Sequence, residues 1–283
     1  MNRVAVLGSS GMLGSMVLKH LESLHLYDVK GLTRSNISLD DLRFVEEYDW
    51  IINCIGVIKP MIDEGDADSV ANAYRVNSWF PRELAYTAEW FDKRVIQIAT
   101  DCVWTGTTLA EYYEGDPHDA EDIYGRSKSM GEIESDAVRN IRCSIIGPEG
   151  PGRSRSLLEW LKSCSGNQPD VTGYSNHLWN GVTTLAFAKV CHALMQDVEM
   201  FEECPREHAL HLHPLDNCSK YDLLKWMNDA YDLDLNVKKW APEVSCNRTI
   251  GTIHDDLVND IWTKAYGSAP TIKEMIEEMA RAE

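Results

Sequence analysis

No stretch of this 283-residue chain reaches about eighteen consecutive apolar residues, which excludes an apolar helical membrane span. The eight cysteines (Cys54, Cys102, Cys143, Cys164, Cys191, Cys204, Cys218 and Cys246) include no C-x-x-C pair, so their spacing suggests neither a zinc site nor a disulfide framework. They are expected to be small buried hydrophobes of a reducing cytoplasm, which is where the protein is expected to reside. Basic residues are scarce: 27 lysines and arginines face 45 acidic residues, for a net charge of −18. That field repels phosphate backbones and argues against a general nucleic-acid binder. An anionic ligand would therefore need local donors, such as helix N-termini. Repeats and low-complexity segments are absent. His211-Leu212-His213 has no third ligand in view, so no metal site is expected there. The opening Met1–Gly8 is broken too soon by glycine for a signal peptide and reads as a first strand.

What remains is the composition of a globular protein, 44% hydrophobic and 25% charged. The first half alternates short apolar runs with amphipathic segments. Strands are expected at Arg3–Leu7, Val29–Thr33, Trp50–Ile55, Arg94–Ala99 and Ile141–Ile146. Helices are expected over Met12–Leu24, within Ala67–Phe91 and over Tyr124–Ile133. Such alternation implies crossover units and a parallel sheet covered on both faces. Beyond Gly147-Pro148 comes a breaker-rich loop, Gly150–Arg155, then helices near Leu157–Ser163 and Val182–Met195. A strand at Ala209–His213 and helices at Lys220–Tyr231 and Ile272–Arg281 complete the chain.

Gly8-Ser9-Ser10-Gly11-Met12-Leu13-Gly14 stands between the first strand and the first helix. There glycines permit a tight turn, close backbone approach to a pyrophosphate, and unpaired helix N–H groups aimed at it. The fold class expected is α/β, a Rossmann-type doubly wound parallel sheet with a smaller C-terminal substrate-binding lobe. Residues 1–147 with about 182–203 would form the dinucleotide-binding domain, and about 148–181 with 204–283 the lobe. After the second strand, Gly31-Leu32-Thr33-Arg34-Ser35 offers no carboxylate for a ribose hydroxyl. Arg34 with Ser35 suits a 2′-phosphate, which favours NADP (NADPH) over NAD; an ordinary solvated arginine is the alternative.

Tyr124 and Lys128 lie four residues apart, on one helix face. A neighbouring ammonium is expected to bring the phenol's acidity toward the working range. Thr100 and Asp101 end a strand, where doubly wound sheets place ligands; Thr100 can bond a substrate oxygen and Asp101 a sugar hydroxyl.

Together, Gly8-x-x-Gly11-x-x-Gly14, Asn53-Cys54-Ile55-Gly56, Val76-Asn77, Thr100-Asp101 and Tyr124-Gly125-Arg126-Ser127-Lys128-x-x-Gly131-Glu132 resemble an extended short-chain dehydrogenase/reductase. Within that superfamily the chain is most similar to the dTDP-4-dehydrorhamnose reductase branch, over the first half above all. The resemblance implies an NADPH or NADH cofactor, a nucleotide-linked 4-keto-6-deoxyhexose as substrate, and a place in polysaccharide precursor synthesis. It implies Tyr124 as proton donor, Lys128 as its activator and ribose ligand, Thr100 as carbonyl orienter and Asp101 at the sugar. Gly8, Ser10, Gly11, Met12, Leu13, Cys54, Ile55, Gly56 and Asn77 would join Arg34, Ser35, Tyr124 and Lys128 around the cofactor. A homodimer is one assembly compatible with it.

The chain departs from the branch at Cys102, where a tyrosine is common, and at Ile145, where a tryptophan is common. Cys102 also replaces the glutamate of the 4,6-dehydratases, which disfavours dehydration. In bifunctional 3,5-epimerase/4-reductases a cysteine at this offset moves protons at the sugar carbons, with a histidine as partner. Cys102 with His177 is that alternative, if neighbours tune the thiol. In the lobe, Asn176, His177 and Trp179 are expected at the sugar, with a seal between lobes as the other reading of Trp179. Arg153, Arg155 and Arg248 are candidate diphosphate ligands. A non-catalytic, NADP-binding regulatory subunit is the rival from another class.

Overall fold

The computed structural model describes residues 1–150, 155–166 and 170–283. Its main sheet contains β1 (Arg3–Leu7), β2 (Asp28–Leu32), β3 (Trp50–Asn53), β4 (Arg94–Ala99) and β5 (Val138–Arg142). The short strands β6 (Ile145–Ile146), β7 (Asp170–Tyr174), β8 (His177–Trp179) and β9 (Val182–Thr183) intervene before β10 (Leu210–His211) adds the sixth strand. The spatial order is β2-β1-β3-β4-β5-β10, all parallel. From β1 the chain moves outward to β2 and then returns to the other side of β1 with β3. That reversal opens a crevice at the C-terminal ends of β1 and β3.

Alternation along the strands explains the two covered faces. Val4, Val6, Trp50, Ile52 and Ile96 point into one apolar layer with α1 (Met12–Leu24) and α6 (Thr184–Gln196). Ala5, Leu7, Ile51 and Val95 point into the opposite layer with Phe80, Leu84 and Ala88 of α3 (Phe80–Trp90). Fully burying each Val, Ile or Leu contributes about 1.5–3 kcal/mol. α2 (Ala67–Tyr74) runs into α3 through a π-helical turn at Arg75–Trp79, so the long helix expected within 67–91 contains one wide turn. Such insertions re-aim side chains, and this one directs Asn77 and Ser78 inward.

Several boundaries differ from expectation. α4 (Ile123–Ser129) stops short of Ile133, and the strand expected at 141–146 divides into β5 and β6. Most consequential is β10, which lies within the 204–283 segment expected in the lobe yet pairs with β5 in the main sheet. Leu210 gains burial and the backbone of the pair gains partners along the open edge of β5. The lobe itself pairs β7 with β12 (Asn236–Trp240), and β8 with both β11 (Cys218–Ser219) and β13 (Cys246–Asn247). α8 (Lys220–Ala230) packs across these strands and against α10 (Ile272–Ala282). No helix among the described residues is long and apolar enough to cross a membrane.

Candidate active site

The first wall of the crevice is the turn between β1 and α1. The Gly8 amide bonds to the Leu32 carbonyl at 2.8 Å, and the Gly11 amide bonds back to the Gly8 carbonyl at 2.8 Å. Gly14 passes so close beneath this turn that a Cβ there would lie 2.4 Å from the Gly8 carbonyl oxygen. The N-cap Gly11 has no capping side chain, and no acid stands in the first turn of α1. This helix start therefore offers donors and the positive end of its dipole to an anion. Met12 is half-buried, while Leu13 packs into the core, leaving its backbone amide as its means of reaching a ligand. Ser10 sits on the same turn. Beyond β2, Thr33–Asn36 forms an ordered turn in which the Thr33 and Ser35 hydroxyls meet at 2.8 Å. Arg34 projects from it, exposed, and among the described residues its guanidinium has no side-chain partner.

Cys54, Ile55 and Gly56 follow β3 and form the floor. The Cys54 amide bonds to the Leu7 carbonyl, and the Ile55 amide to Asn53 Oδ1. Asn77, expected among the cofactor ligands, is instead spent on bracing. Its Oδ1 accepts from the Val57 amide at 2.8 Å, while its Nδ2 donates to the Val57 carbonyl and to Ser127 Oγ, each at 3.0 Å. With Ser78 Oγ donating to the Ser127 carbonyl, the π-helical turn fixes α4 in place.

At the end of β4, Thr100 caps a tight turn by accepting the Cys102 amide at 3.2 Å, and its hydroxyl donates to Asp101 Oδ1 at 3.3 Å. α4 starts at Asp122, whose carboxylate accepts from the Gly125 amide and from Lys59. Gly125 brings the two segments together: a Cβ there would stand 2.3 Å from the Cys102 carbonyl oxygen. Tyr124 is thereby held next to Thr100. Burial raises the phenol's pKa well above its ordinary value, Cys102, Asp101 and Asp122 add to the rise, and the Thr100 hydrogen bond opposes it. The expectation that Lys128 would pull it down is corrected: Lys128 Nζ is buried and donates to the Ile98 carbonyl at 3.0 Å. A phenol in this setting is a neutral O–H at physiological pH, which suits a proton donor. Burial lowers the pKa of Lys128, with Glu132 and Cys54 resisting.

The Cys102 thiol is pushed up to about 12 by burial first and Asp101 second, against the pull of Arg248. A protonated thiol does not serve as a base at neutral pH, which weighs against the epimerase alternative. The cation nearest its sulfur is Arg248, with Nη1 at 4.0 Å, while the rest of that guanidinium is fastened to the Trp104 and Thr105 carbonyls. His177, the expected partner of Cys102, contacts the Val244 carbonyl through Nε2 at 3.2 Å, and Asn176 Nδ2 donates to the Pro242 carbonyl. Both tie down the segment between β12 and β13. Trp179 is 3% exposed and donates to Ser144 Oγ at 2.7 Å. Arg155 bonds to Glu149 through its backbone amide, and Arg153 lies outside the described residues. Among the described residues no cluster of His, Cys, Asp and Glu suits a metal ion.

Sequence reasoning missed Lys220. It opens α8, its ammonium lies 5.1 Å from the centre of the Trp179 ring, and it shares the field of Asp101, Cys218, Cys102 and Cys246. The signal was legible: a cation in the first turn of a helix opposes the macrodipole.

The family model described as "RmlD substrate binding domain" matches residues 1–146. The Bacillus subtilis spore coat polysaccharide biosynthesis protein SpsK is 29% identical over 138 residues, covering 47% of each chain. A dTDP-4-dehydrorhamnose reductase from Aggregatibacter actinomycetemcomitans is 27% identical over 142 residues, covering 47% of this chain and 46% of that protein. The matches thus span about half the length of these curated relatives. Among solved structures, dTDP-4-dehydrorhamnose reductase from Bacillus anthracis in complex with NADP superposes with a TM-score of 0.80. It is 17% identical, and the match covers 100% of this chain and 99% of that one, which establishes a shared fold.

Proposed function

The chain belongs to the RmlD substrate binding domain family, and on that footing we propose that it reduces the 4-keto group of a nucleotide-activated 6-deoxyhexose with NADPH. The observation that carries the reading is the Tyr124 phenol. It stands beside Thr100 at the C-terminal end of β4, on the same helix as Lys128, and burial holds it neutral.

The residues present suit a dinucleotide: an uncapped helix start free of acid, a turn that tolerates no side chain at Gly14, and an unpaired Arg34 past β2. NADPH, when bound, supplies the hydride. α1 would receive the pyrophosphate, and Arg34 with Ser35 the 2′-phosphate. Gly8, Ser10, Gly11, Met12 and Leu13 would line the turn side, with Cys54, Ile55 and Gly56 beneath. Lys128, a short rotation from the Ile98 carbonyl, would reach a ribose hydroxyl. Thr100 orients the substrate carbonyl, and Tyr124 donates its phenolic proton to the oxygen as that oxygen gains charge. The buried, pre-positioned donor contributes through orientation and proton transfer. Asp101 would accept from a sugar hydroxyl. The relatives named as dTDP-4-dehydrorhamnose reductases and as a spore coat polysaccharide protein support the substrate class and a role in polysaccharide precursor synthesis. The B. anthracis complex supports NADP.

NADPH consumption with a panel of UDP- and dTDP-linked 4-keto-6-deoxyhexoses tests the proposal. Wild-type protein should turn over at least one, and Tyr124→Phe should lose about 10²–10⁴-fold in kcat while its fluorescence titration with NADPH stays unchanged. Wild-type silence across the panel despite NADPH binding would shift the reading to a regulatory subunit.

A further inference from the structure

The charged groups of the cleft divide into those already engaged and those left open. Arg248 is fastened to two carbonyls, Lys128 to one, and Asp122 to Lys59. Lys220 differs. Among the described residues its ammonium has no hydrogen bond and no ion pair, and it rests against the face of Trp179. It stands at the first position of α8, where the unpaired N–H groups make the surroundings positive. Burial and helix polarity both oppose a cation there, and a cation–π contact offsets only about 0.5–2 kcal/mol. Folding alone gives no reason for this residue, since a methionine would fill the same space against Trp179 at no electrostatic cost.

Its surroundings say which ligand it would serve. The ammonium, held over Trp179, shares the field of Asp101 and Cys102, the two residues that follow Thr100 and whose charges also act on Tyr124. The oxygen of whatever carbonyl is reduced must lie within hydrogen-bond reach of Tyr124, so the hexose ring occupies this end of the cleft. The diphosphate, attached through the anomeric oxygen, lies farther out. Lys220 comes from the substrate lobe and Asp101 from the main sheet, so a sugar between them would meet a donor on one side and an acceptor on the other.

We propose that Lys220 is a specificity-determining residue of the sugar pocket, donating to an acceptor oxygen on the hexose ring or its substituents and not to the diphosphate. The inference rests on the sugar-nucleotide reading above for the identity of the ligand. Trp179 serves as the platform that holds the lysine stem extended. It acts through Lys220 without itself touching the sugar, in keeping with its 3% exposure.

The test is calorimetric titration of NADPH-loaded wild-type protein and Lys220→Met with UDP-glucose and dTDP-glucose, each compared with bare UDP or dTDP. Removing a charged hydrogen-bond donor should weaken the sugar nucleotide by at least about tenfold and leave the bare nucleoside diphosphate unchanged. The Tm of the variant should hold or rise, because an unpaired buried charge has been removed. Lys220→Arg, retaining a donor, should recover part of the sugar-nucleotide affinity. Equal losses for sugar nucleotide and nucleoside diphosphate would move the ammonium onto the diphosphate and overturn the proposal. So would an unaltered affinity, or a lowered Tm with both ligands weakened, which would mark a packing residue. A wild-type protein that binds none of the four probes would sink the sugar-nucleotide reading and this inference with it. Wild-type binding that Lys220→Met leaves intact would sink this inference alone.

Discussion

Two sets of cations, one on β5 behind the Thr100–Trp104 turn and one made of Lys220 and Arg34, are treated oppositely. Behind it, Arg142 is 1% exposed yet bonds to Glu132, His211 and His118, and its guanidinium lies 4.7 Å from the centre of the Trp104 ring. Arg139, on the same strand, is fully buried and satisfied by four carbonyls and Glu202. Lys220, at the start of α8, and Arg34, past β2, lack such partners among the described residues. Carboxylates are not scarce in a chain with 45 acidic residues against 27 basic ones. The open cations therefore reflect placement. Paired buried charge braces the Thr100–Trp104 turn, and on the proposed reading the unpaired charge is left for ligand.

Three measurements can break or sharpen that contrast. The largest effect is expected behind the turn. Glu132→Gln leaves Arg142 without its carboxylate in a buried site and should cost about 3–5 kcal/mol in urea unfolding. A cost below about 1 kcal/mol would mean that the histidines alone satisfy the arginine, and the paired side of the contrast would fail.

The second effect is acid lability. Burial is the largest cause lowering the pKa of His211, with Arg142 second, and burial likewise lowers His118 and His208. Folded-state values below the ordinary 6.5 mean that the unfolded chain takes up protons which the folded chain refuses. Stability should be fully present above pH 6.5 and fall below it, by about 1.4 kcal/mol per pH unit for His211 alone. Urea midpoints measured from pH 7.5 to 5 check this, and His211→Asn should flatten the slope. A slope unchanged by that substitution would show that the network does not hold the ring neutral.

The smallest effect belongs to the open side. Arg34→Ser should reduce the preference for NADPH over NADH by about tenfold, the scale of one charge-assisted contact near the surface. NADH kinetics and unfolding should remain as in wild type. A matching loss for both cofactors would place Arg34 outside the 2′-phosphate site.

Much of the main sheet was legible because its strands carry their signal locally. Val4 to Leu7 and Trp50 to Ile52 are continuous apolar runs, as strands buried on both faces must be, and Arg3–Leu7 and Arg94–Ala99 fall where periodicity put them. The motifs around Gly8, Thr100 and Tyr124 were legible for the same reason: each is a short segment whose spacing carries its geometry. What escaped depends on contacts distant in sequence. Asn77 reads as a ligand until the π-helical turn is seen to aim it at Val57 and Ser127. Lys128 reads as the partner of Tyr124 until its ammonium is seen to donate to the Ile98 carbonyl. Lys220 and Trp179 lie 41 positions apart and meet only because β11 pairs with β8. His177 shows the converse: a histidine expected beside Cys102 from its place in the lobe is tethered locally to the Val244 carbonyl.

The pairing of Leu210–His211 with β5 bears on how the molecule can be taken apart. The polypeptide leaves the main sheet for the lobe and later returns to finish it, so the halves interlock. A fragment ending after α7 (Val198–Glu203) would carry the glycine turn and the Thr100 and Tyr124 motifs, though not Lys220. It would nonetheless expose the backbone of β5 along an unprotected border, inviting association with other chains. The six-stranded sheet therefore depends, for its own integrity, on residues that a motif search would discard.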